Sequence, residues 1–341
     1  MDRIAATTAR RPEQKESPLR VLVTGGAGFI GSSIVRALLA RGDKVRVLDN
    51  FSTGKRENLA DVTADVEMIK ADVRNKPSCM EAAKGVEAVL HQAALGSVPR
   101  SVEDPETTHF VNVDGTLNLL LAARDQGVRR FVFASSSSIY GDAPEKVKEE
   151  SLPLRPQSPY AVSKVAGEAY TVVFGKVFGL ESVALRYFNV FGPRQDPTSM
   201  YSAVVPRFAA RLLANEAATI YGDGLQSRDF TYVENVVRAN LLAMECPPGA
   251  CCRAYNVACG GSISVKKLFL LIREQVGGDA ARLEPVHEPS RKGDVRDSLA
   301  SVEAGRRYLG YEPAVSVEEG IRRTVAWYRE GLRRYTPRGH A

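Results

Sequence analysis

No stretch of this chain is apolar over the roughly 18 residues that a membrane span requires, so no transmembrane segment is expected. Residues 1–18 are polar, with Arg10, Arg11, Glu13, Lys15 and Glu16, and lack the apolar stretch of a secretory signal. They read as a disordered tail. Cysteine is scarce and odd in number: the five are Cys79, Cys246, Cys251, Cys252 and Cys259. Their spacing suits neither a zinc site nor a disulfide framework, which points to a reducing cytoplasm. The four histidines, His91, His109, His287 and His340, show no ligand spacing either, so no metal is expected. A net charge of +6 comes without interleaved aromatic and basic residues, which argues against a nucleic-acid partner. Clusters such as Arg322-Arg323 and Arg333-Arg334 read as solvated helical faces. The same positive balance also suits an anionic small substrate. There is no internal repeat, and the only low-complexity tract is the serine row Ser135–Ser138.

What the chain does have is alternation. Its 341 residues are enough to bury a sizeable core. Short apolar runs recur at Leu19–Thr24, Lys44–Leu48, Val66–Ala71, Ala88–Leu90, Arg130–Ala134 and Ser182–Leu185. Between them lie segments of helical period, such as Ile30–Leu39 and Gly115–Asp125. Strands alternating with helices imply parallel βαβ units: an α/β fold with a doubly wound parallel sheet of Rossmann type. The texture changes after Arg186, where glycine and proline punctuate the chain, and a smaller mixed α/β substrate lobe is expected there. The expected division is a dinucleotide domain over 19–186, rejoined by 232–258, with 187–231 and 259–334 forming the lobe. Ligands of such sheets sit at the carboxyl ends of the strands, so the cleft between lobes is the expected site.

The first strand leads into Thr24–Gly31, TGGAGFIG. Gly25 serves a tight turn, Gly28 lets backbone approach a pyrophosphate, and Gly31 lets the helix pack on the strand. The helix amino terminus then offers free N–H groups and its positive dipole end to phosphate. Asp49 ends the next strand at about the usual 20-residue distance and would accept from an adenosine ribose. A carboxylate there favours NAD over NADP. Arg46 precedes it and is expected to point elsewhere, while nearby Arg56 keeps NADP open as an alternative.

Ser158–Lys164 reads SPYAVSK. If Pro159 opens a helix, Tyr160 and Lys164 lie one turn apart on one face. A phenol with a reference pKa near 10 is a poor base at neutral pH. A neighbouring ammonium and an oxidised nicotinamide both favour the phenolate. Alone, such a pair is most often a surface feature; after a dinucleotide loop it reads as an acid–base pair.

Taken together, TGGAGFIG, DNFSTG (Asp49–Gly54), HQAA (His91–Ala94), ASSSSIYG, PYAVSK, RYFNVFGPRQDP (Arg186–Pro197) and RKGD (Arg291–Asp294) resemble the extended short-chain dehydrogenase/reductases that act on nucleotide sugars. The likeness spans about Leu19 to Glu330 and is nearest to bacterial 4-epimerases of UDP-N-acetylglucosamine that serve surface polysaccharide synthesis. It implies a seven-stranded NAD domain, a homodimer formed through the helix holding Tyr160, and a catalytic set of Ser136, Tyr160 and Lys164. Tyr140 then belongs to the strand-end motif and packs. The implied cofactor contacts are Gly25, Gly28, Phe29, Ile30, Gly31, Asp49, Asn50, Ser52, Gly54, Asp72, Val73, Ala93, Ala94, Asn112, Tyr160, Lys164 and Tyr187. The implied substrate contacts are Gly96, Ser97, Ser136, Ser137, Ser138, Asn189, Gln195, Tyr221, Arg228, Arg291, Asp294 and Ser298. Dehydratases of this family place Asp-Glu where this chain has Ser137-Ser138, and decarboxylases place a glutamate at the second position. Hydroxyls are poor acids and bases, so elimination is disfavoured and reversible oxidation at C4 remains. The expected reaction is interconversion of UDP-N-acetylglucosamine and UDP-N-acetylgalactosamine with retained NAD, UDP-glucose and UDP-galactose being further candidates. Ser298 stands where hexose-restricted relatives carry a bulky tyrosine, and Gly96 and Gln195 match the N-acetyl-preferring ones. A UDP-glucuronate 4-epimerase, with Arg100 or Arg194 meeting the carboxylate, is the rival reading. A nucleotide-sugar dehydrogenase or reductase, which would release its NAD each turnover, and a non-catalytic NAD sensor are readings from other classes.

Overall fold

A computed structural model describes residues 18–197, 203–289 and 297–335. Residues 1–17, most of the segment read as a tail, lie outside it, as do Arg291 and Asp294. Seven strands form one sheet: β1 (Arg20–Thr24), β2 (Lys44–Asp49), β3 (Val66–Lys70), β4 (Ala88–His91), β5 (Arg130–Ser136), β6 (Glu181–Tyr187) and β7 (Arg253–Val257). Their order is β3-β2-β1-β4-β5-β6-β7, parallel throughout. Val21, Leu22 and Val23 in β1 are fully buried, as a central strand covered on both faces requires. The winding reverses between β1 and β4, and that is where a crevice opens at the strand ends.

Helices α1 (Phe29–Ala40), α2 (Lys76–Ala83), α3 (Val98–Glu103), α4 (Pro105–His109), α5 (Gly115–Asp125) and α6 (Pro159–Phe178) connect the strands up to β6. A π-helical turn, Phe110–Asp114, joins α4 to α5. Helix α6 starts as its sequence dictates: Ser158 accepts from the Ala161 N–H (3.1 Å) and Pro159 fills the first position. Gly179, at φ +73°, ends it. Strand β5 runs two residues further than its apolar run suggested. Ser135 and Ser136 remain paired with Arg186 and Tyr187 of β6, so the ladder and not the hydropathy sets its end.

At the opposite end of β5, Arg130 is buried. Its guanidinium donates to the carbonyls of Ala243 (2.6 Å) and Cys246 (2.7 Å) and to Glu181 (2.9 Å). The first two carbonyls lie at the carboxyl end of the helix preceding β7, where a cation is favoured.

The rest of the chain supplies α7 (Val204–Leu213), α8 (Val233–Glu245), α9 (Val265–Val276), α10 (Glu303–Leu309) and α11 (Val317–Tyr335). Phe208, Leu212, Leu268, Phe269, Ile321 and Val325 join a separate hydrophobic core built largely by α7, α9 and α11. Short ladders line its cleft side. Ile263–Ser264, Ser227–Arg228, Asp297–Ala300 and Val147–Lys148 form one small sheet. Val190–Phe191 pairs with Thr231–Tyr232, and Thr219–Tyr221 with Val286–Glu288. Among the described residues no helix is long and apolar enough to cross a membrane.

Candidate active site

A cleft of about 890 Å³ lies at the carboxyl ends of the sheet strands. The glycine loop forms one wall. Gly25 has φ +65°, and a Cβ there would stand 2.7 Å from the Ala93 nitrogen. A Cβ on Gly31 would stand 2.1 Å from the Gly25 carbonyl oxygen, so only glycine lets α1 sit this close to β1. Gly28 is the N-cap of α1 and supplies no side-chain cap, leaving first-turn N–H groups for an anion. Asp49 accepts from the Ala27 N–H (2.9 Å) through one oxygen and from the Phe51 N–H (2.7 Å) through the other. It thus shapes the loop while still lining the cleft. Arg46 turns away, to Ala82 and Lys84 carbonyls (both 2.8 Å) and Glu67 (2.9 Å). Arg56 stacks over Phe51, 4.5 Å from its centroid, and does not line the cleft. Phe29, Ile30, Asn50, Ser52, Gly54, Asp72, Val73, Ala93 and Ala94 do line it. The Arg74 guanidinium and the Asn50 amide hold the Asp72 carboxyl down at about 2.

Three of the described expected contacts do not line this cleft: Asn112, Ser97 and Tyr221. Asn112 is buried behind the cleft wall: it accepts from the Leu95 N–H (2.8 Å) and donates to Ser163 Oγ (3.0 Å). Ser97 caps α3 by accepting from the Arg100 N–H (3.2 Å). Asn112 thus ties Leu95 to α6, and Ser97 starts α3.

Ser136, Tyr160, Lys164 and Tyr187 meet over the floor of the cleft. Lys164 is buried and donates to the Ala134 carbonyl (2.8 Å), with its Nζ 5.9 Å from the Tyr160 ring centre. Burial lowers the lysine to about 7. Burial raises the Tyr160 phenol, and the Ser136 hydroxyl pulls it the other way. The ammonium is therefore a weaker aid to ionisation than the sequence alone implied, because it too is desolvated.

The four serines have separate tasks. Ser135 donates to Glu168 (2.7 Å), and Glu168 pairs with buried Arg186 (2.6 Å). Ser136 accepts from the Ser138 N–H (3.2 Å), and Ser137 and Ser138 line the cleft. Ser138 Oγ is buried with no partner among the described residues. Tyr140 donates to Asn256 (2.7 Å), accepts from Arg186 (2.7 Å) and is pushed up to about 12 by burial. It packs as expected.

Gly96, Asn189, Gln195, Arg228 and Ser298 also line the cleft. A Cβ on Gly96 would meet nothing within 4 Å, so the cleft is open there. Asn189 has φ +34° and donates to the Asp229 carbonyl (2.9 Å). Gln195 donates to the Val190 carbonyl (3.2 Å), and its Oε1 is buried without a partner among the described residues. Tyr221 lies outside this cleft but lines an adjoining cavity of about 280 Å³, together with Asn189, Arg228, Gln226 and Phe230.

A family model described as "NAD dependent epimerase/dehydratase family" matches residues 21–258. The chain belongs to this family. Over 315 residues it is 41% identical to a UDP-glucose 4-epimerase of Mycolicibacterium smegmatis, covering 91% of this chain and 99% of that one. It superposes with a TM-score of 0.87 on a UDP-N-acetylglucosamine 4-epimerase of Methanobrevibacter ruminantium in complex with UDP-N-acetylmuramic acid, at 39% identity over 92% of this chain and 99% of that chain. A Thermus thermophilus UDP-glucose 4-epimerase in complex with NAD gives a TM-score of 0.81 at 43% identity, covering 91% and 99%.

NAD, the cofactor of this epimerase/dehydratase family, fits the residues present. The bare helix terminus at Gly28, the Cβ-free approach at Gly25 and Gly31, and a cleft with no arginine beside Asp49 among the described residues suit a dinucleotide without a 2′-phosphate. The structure also adds residues that sequence reasoning missed. Gln92 lines the cleft and accepts from Tyr187 (3.1 Å), while Asn240 of α8 donates to the same hydroxyl (2.8 Å). Gln92 sits in the HQAA motif, the one signal that could have flagged it. Lys148 also lines the cleft, its Nζ donating to the Ala143 carbonyl (2.6 Å). Nothing in its local sequence marks it, since its place comes from the small sheet.

Proposed function

We propose that this chain is a UDP-sugar 4-epimerase whose preferred substrates are UDP-N-acetylglucosamine and UDP-N-acetylgalactosamine. The observation that carries the reading is the pairing of Ser137 and Ser138 with an intact Ser136–Tyr160–Lys164 set in one cleft. The site holds an acid–base phenol and no neighbouring carboxylate where dehydratases place theirs, so hydride can leave C4 and a proton its hydroxyl, both return, and no water is eliminated.

In this reading Tyr160, aided by Ser136, takes the proton of the sugar 4-hydroxyl and later returns it. Bound NAD supplies the hydride acceptor and donor for C4. Lys164 holds the nicotinamide ribose, and Gln92 and Asn240 fix the Tyr187 hydroxyl beside it. Asn189 and Arg228 hold the diphosphate, a guanidinium being well shaped for phosphate oxygens. The cavity bounded by Tyr221, Gln226 and Phe230 takes the uridine. This anchor lets the 4-keto sugar turn and offer its other face. Ser298 and Gly96 leave volume at the sugar that an N-acetyl group fills and a hydroxyl does not. A C6 carboxylate would need a free cation. Arg100 and Arg194 do not line the cleft, and Arg194 is turned to Ser33 (3.0 Å), which counts against UDP-glucuronate. A homodimer is part of the proposal: Val162, Tyr170, Val173 and Val177 expose an apolar stripe along α6. A sedimentation mass of one chain would exclude it.

The test is to incubate the purified protein with single UDP-sugars, adding no NAD, and to separate the products. The N-acetylated pair should interconvert. Ser298→Tyr should abolish that conversion while sparing UDP-glucose and UDP-galactose. Retention of N-acetyl activity by this variant would remove Ser298 as the gate, and a requirement for added NAD in every turnover would point to a dehydrogenase.

A further inference from the structure

Asp229 follows Arg228 but does not line the cleft, and its side chain is wholly buried. It carries five hydrogen bonds to segments distant in sequence. One carboxylate oxygen accepts from the Cys259 N–H (3.0 Å). The other accepts from the N–H groups of Gly260 (3.1 Å) and Ala300 (3.3 Å). Its own N–H donates to the Ser298 carbonyl (2.7 Å), and its carbonyl accepts from the Asn189 amide (2.9 Å). Three cleft residues, Asn189, Arg228 and Ser298, are therefore joined to or through it.

The ladder that sets Arg228 against Ser298 pairs two residues on each side, Ser227 with Asp297 and Arg228 with Ser298. So short a pairing does not hold a register unaided. Asp229 supplies the next rung twice, once with its N–H and once with its carboxylate. The carboxylate is costly: among the described residues no guanidinium or ammonium partners it, and burial pushes it up to about 7. A group retained at such a cost needs a return beyond packing.

We propose that Asp229 is a positioning residue that fixes Asn189, Arg228 and Ser298 as one rigid wall for the diphosphate end of the substrate. This rests on the proposed function, and the experiment separates the two. Binding of UDP alone is measured by calorimetry, with steady-state kinetics on the UDP-sugar, for wild type, Asp229→Asn and Asp229→Glu, each purified as the full chain with its NAD. Asparagine keeps the volume but offers one acceptor oxygen and an amide that faces donors; glutamate keeps the charge and displaces it. Both variants should bind UDP at least about tenfold more weakly. Each should show KM raised by a similar factor, kcat within about twofold, and an unchanged NAD content. UDP affinity equal to wild type in both variants would overturn the inference and leave the proposed function standing. Losses of kcat and NAD content in parallel with KM, or insolubility of both variants, would make Asp229 a folding residue and overturn it likewise. Failure of the wild type to bind UDP would overturn the proposed function, and this inference with it.

Discussion

Two tyrosines twenty residues apart in sequence should respond to loss of one oxygen in opposite ways. Tyr140→Phe deletes a hydroxyl that donates to Asn256 and accepts from Arg186, each at 2.7 Å, in the buried core. A net neutral hydrogen bond contributes about 1 kcal/mol and one to a charged group about 1.5–3 kcal/mol. Arg186 keeps Glu168 and the Glu150 carbonyl, but Asn256 Oδ1 loses its donor. The expected cost is about 2–4 kcal/mol, or a fall in Tm of about 4–8 °C at about 2 °C per kcal/mol. Turnover at a temperature well below Tm should stay within a few-fold of wild type. Tyr160→Phe removes the proposed acid–base group and should lower kcat by about 10²–10⁴-fold with little change in Tm. Differential scanning calorimetry and product chromatography on both variants complete the test. Equal losses of activity, or a Tyr140→Phe protein with wild-type Tm, would refute the division of roles between the two phenols.

The remaining expectations concern cofactor and pH. Asp49→Ala should lower the NAD released on denaturing the purified protein to below about half of wild type; full NAD content, or a wild-type preference for NADP, would contradict the assignment. Lys164 is held at about 7 in the NAD-free fold. Between that pH and an unfolded lysine's value near 10.4, the unfolded chain binds a proton that the folded chain has released, so stability rises with pH across the window. The urea midpoint of NAD-free wild type should therefore rise between about pH 7 and pH 9 relative to Lys164→Met. Parallel profiles would show that the buried ammonium is not destabilising.

The architecture was readable wherever one periodicity governed a segment. Gly115–Asp125 was recovered residue for residue, because its burial is decided by its own 3.6-residue pattern. The run from Val98 to Asp114 was not recovered, since α3, α4 and the π-turn are too short to show a period. Strand pairs of two residues in the small sheet are invisible for the same reason. Motifs located the cleft lining, because local chain geometry at the strand ends brings their residues to it. Bracing contacts were missed, because they are settled by packing: Glu168 meets Arg186 eighteen positions away, and Gln92 meets Asn240 across 148. Asn112 and Ser97 show the same limit, since their hydrogen bonds to Ser163 and to the Arg100 N–H carry no motif of their own.

Strand β5 carries Arg130 at its first residue and Ser136 at its last. Six steps of about 3.3 Å set them roughly 20 Å apart. The clasp that binds α8 to the sheet is thus at one pole and the proposed acid–base site at the other, with buried Phe131, Val132 and Phe133 between. Substitutions that loosen or tighten the Arg130 clasp with Glu181 and Cys246 act at the end of the strand away from Ser136. Substitutions at the cleft residues Ser137, Ser138 or Ser298 leave that clasp's partners in place. The anchorage of α8 and the serine-lined cleft thus sit at opposite ends of β5 and can be varied separately.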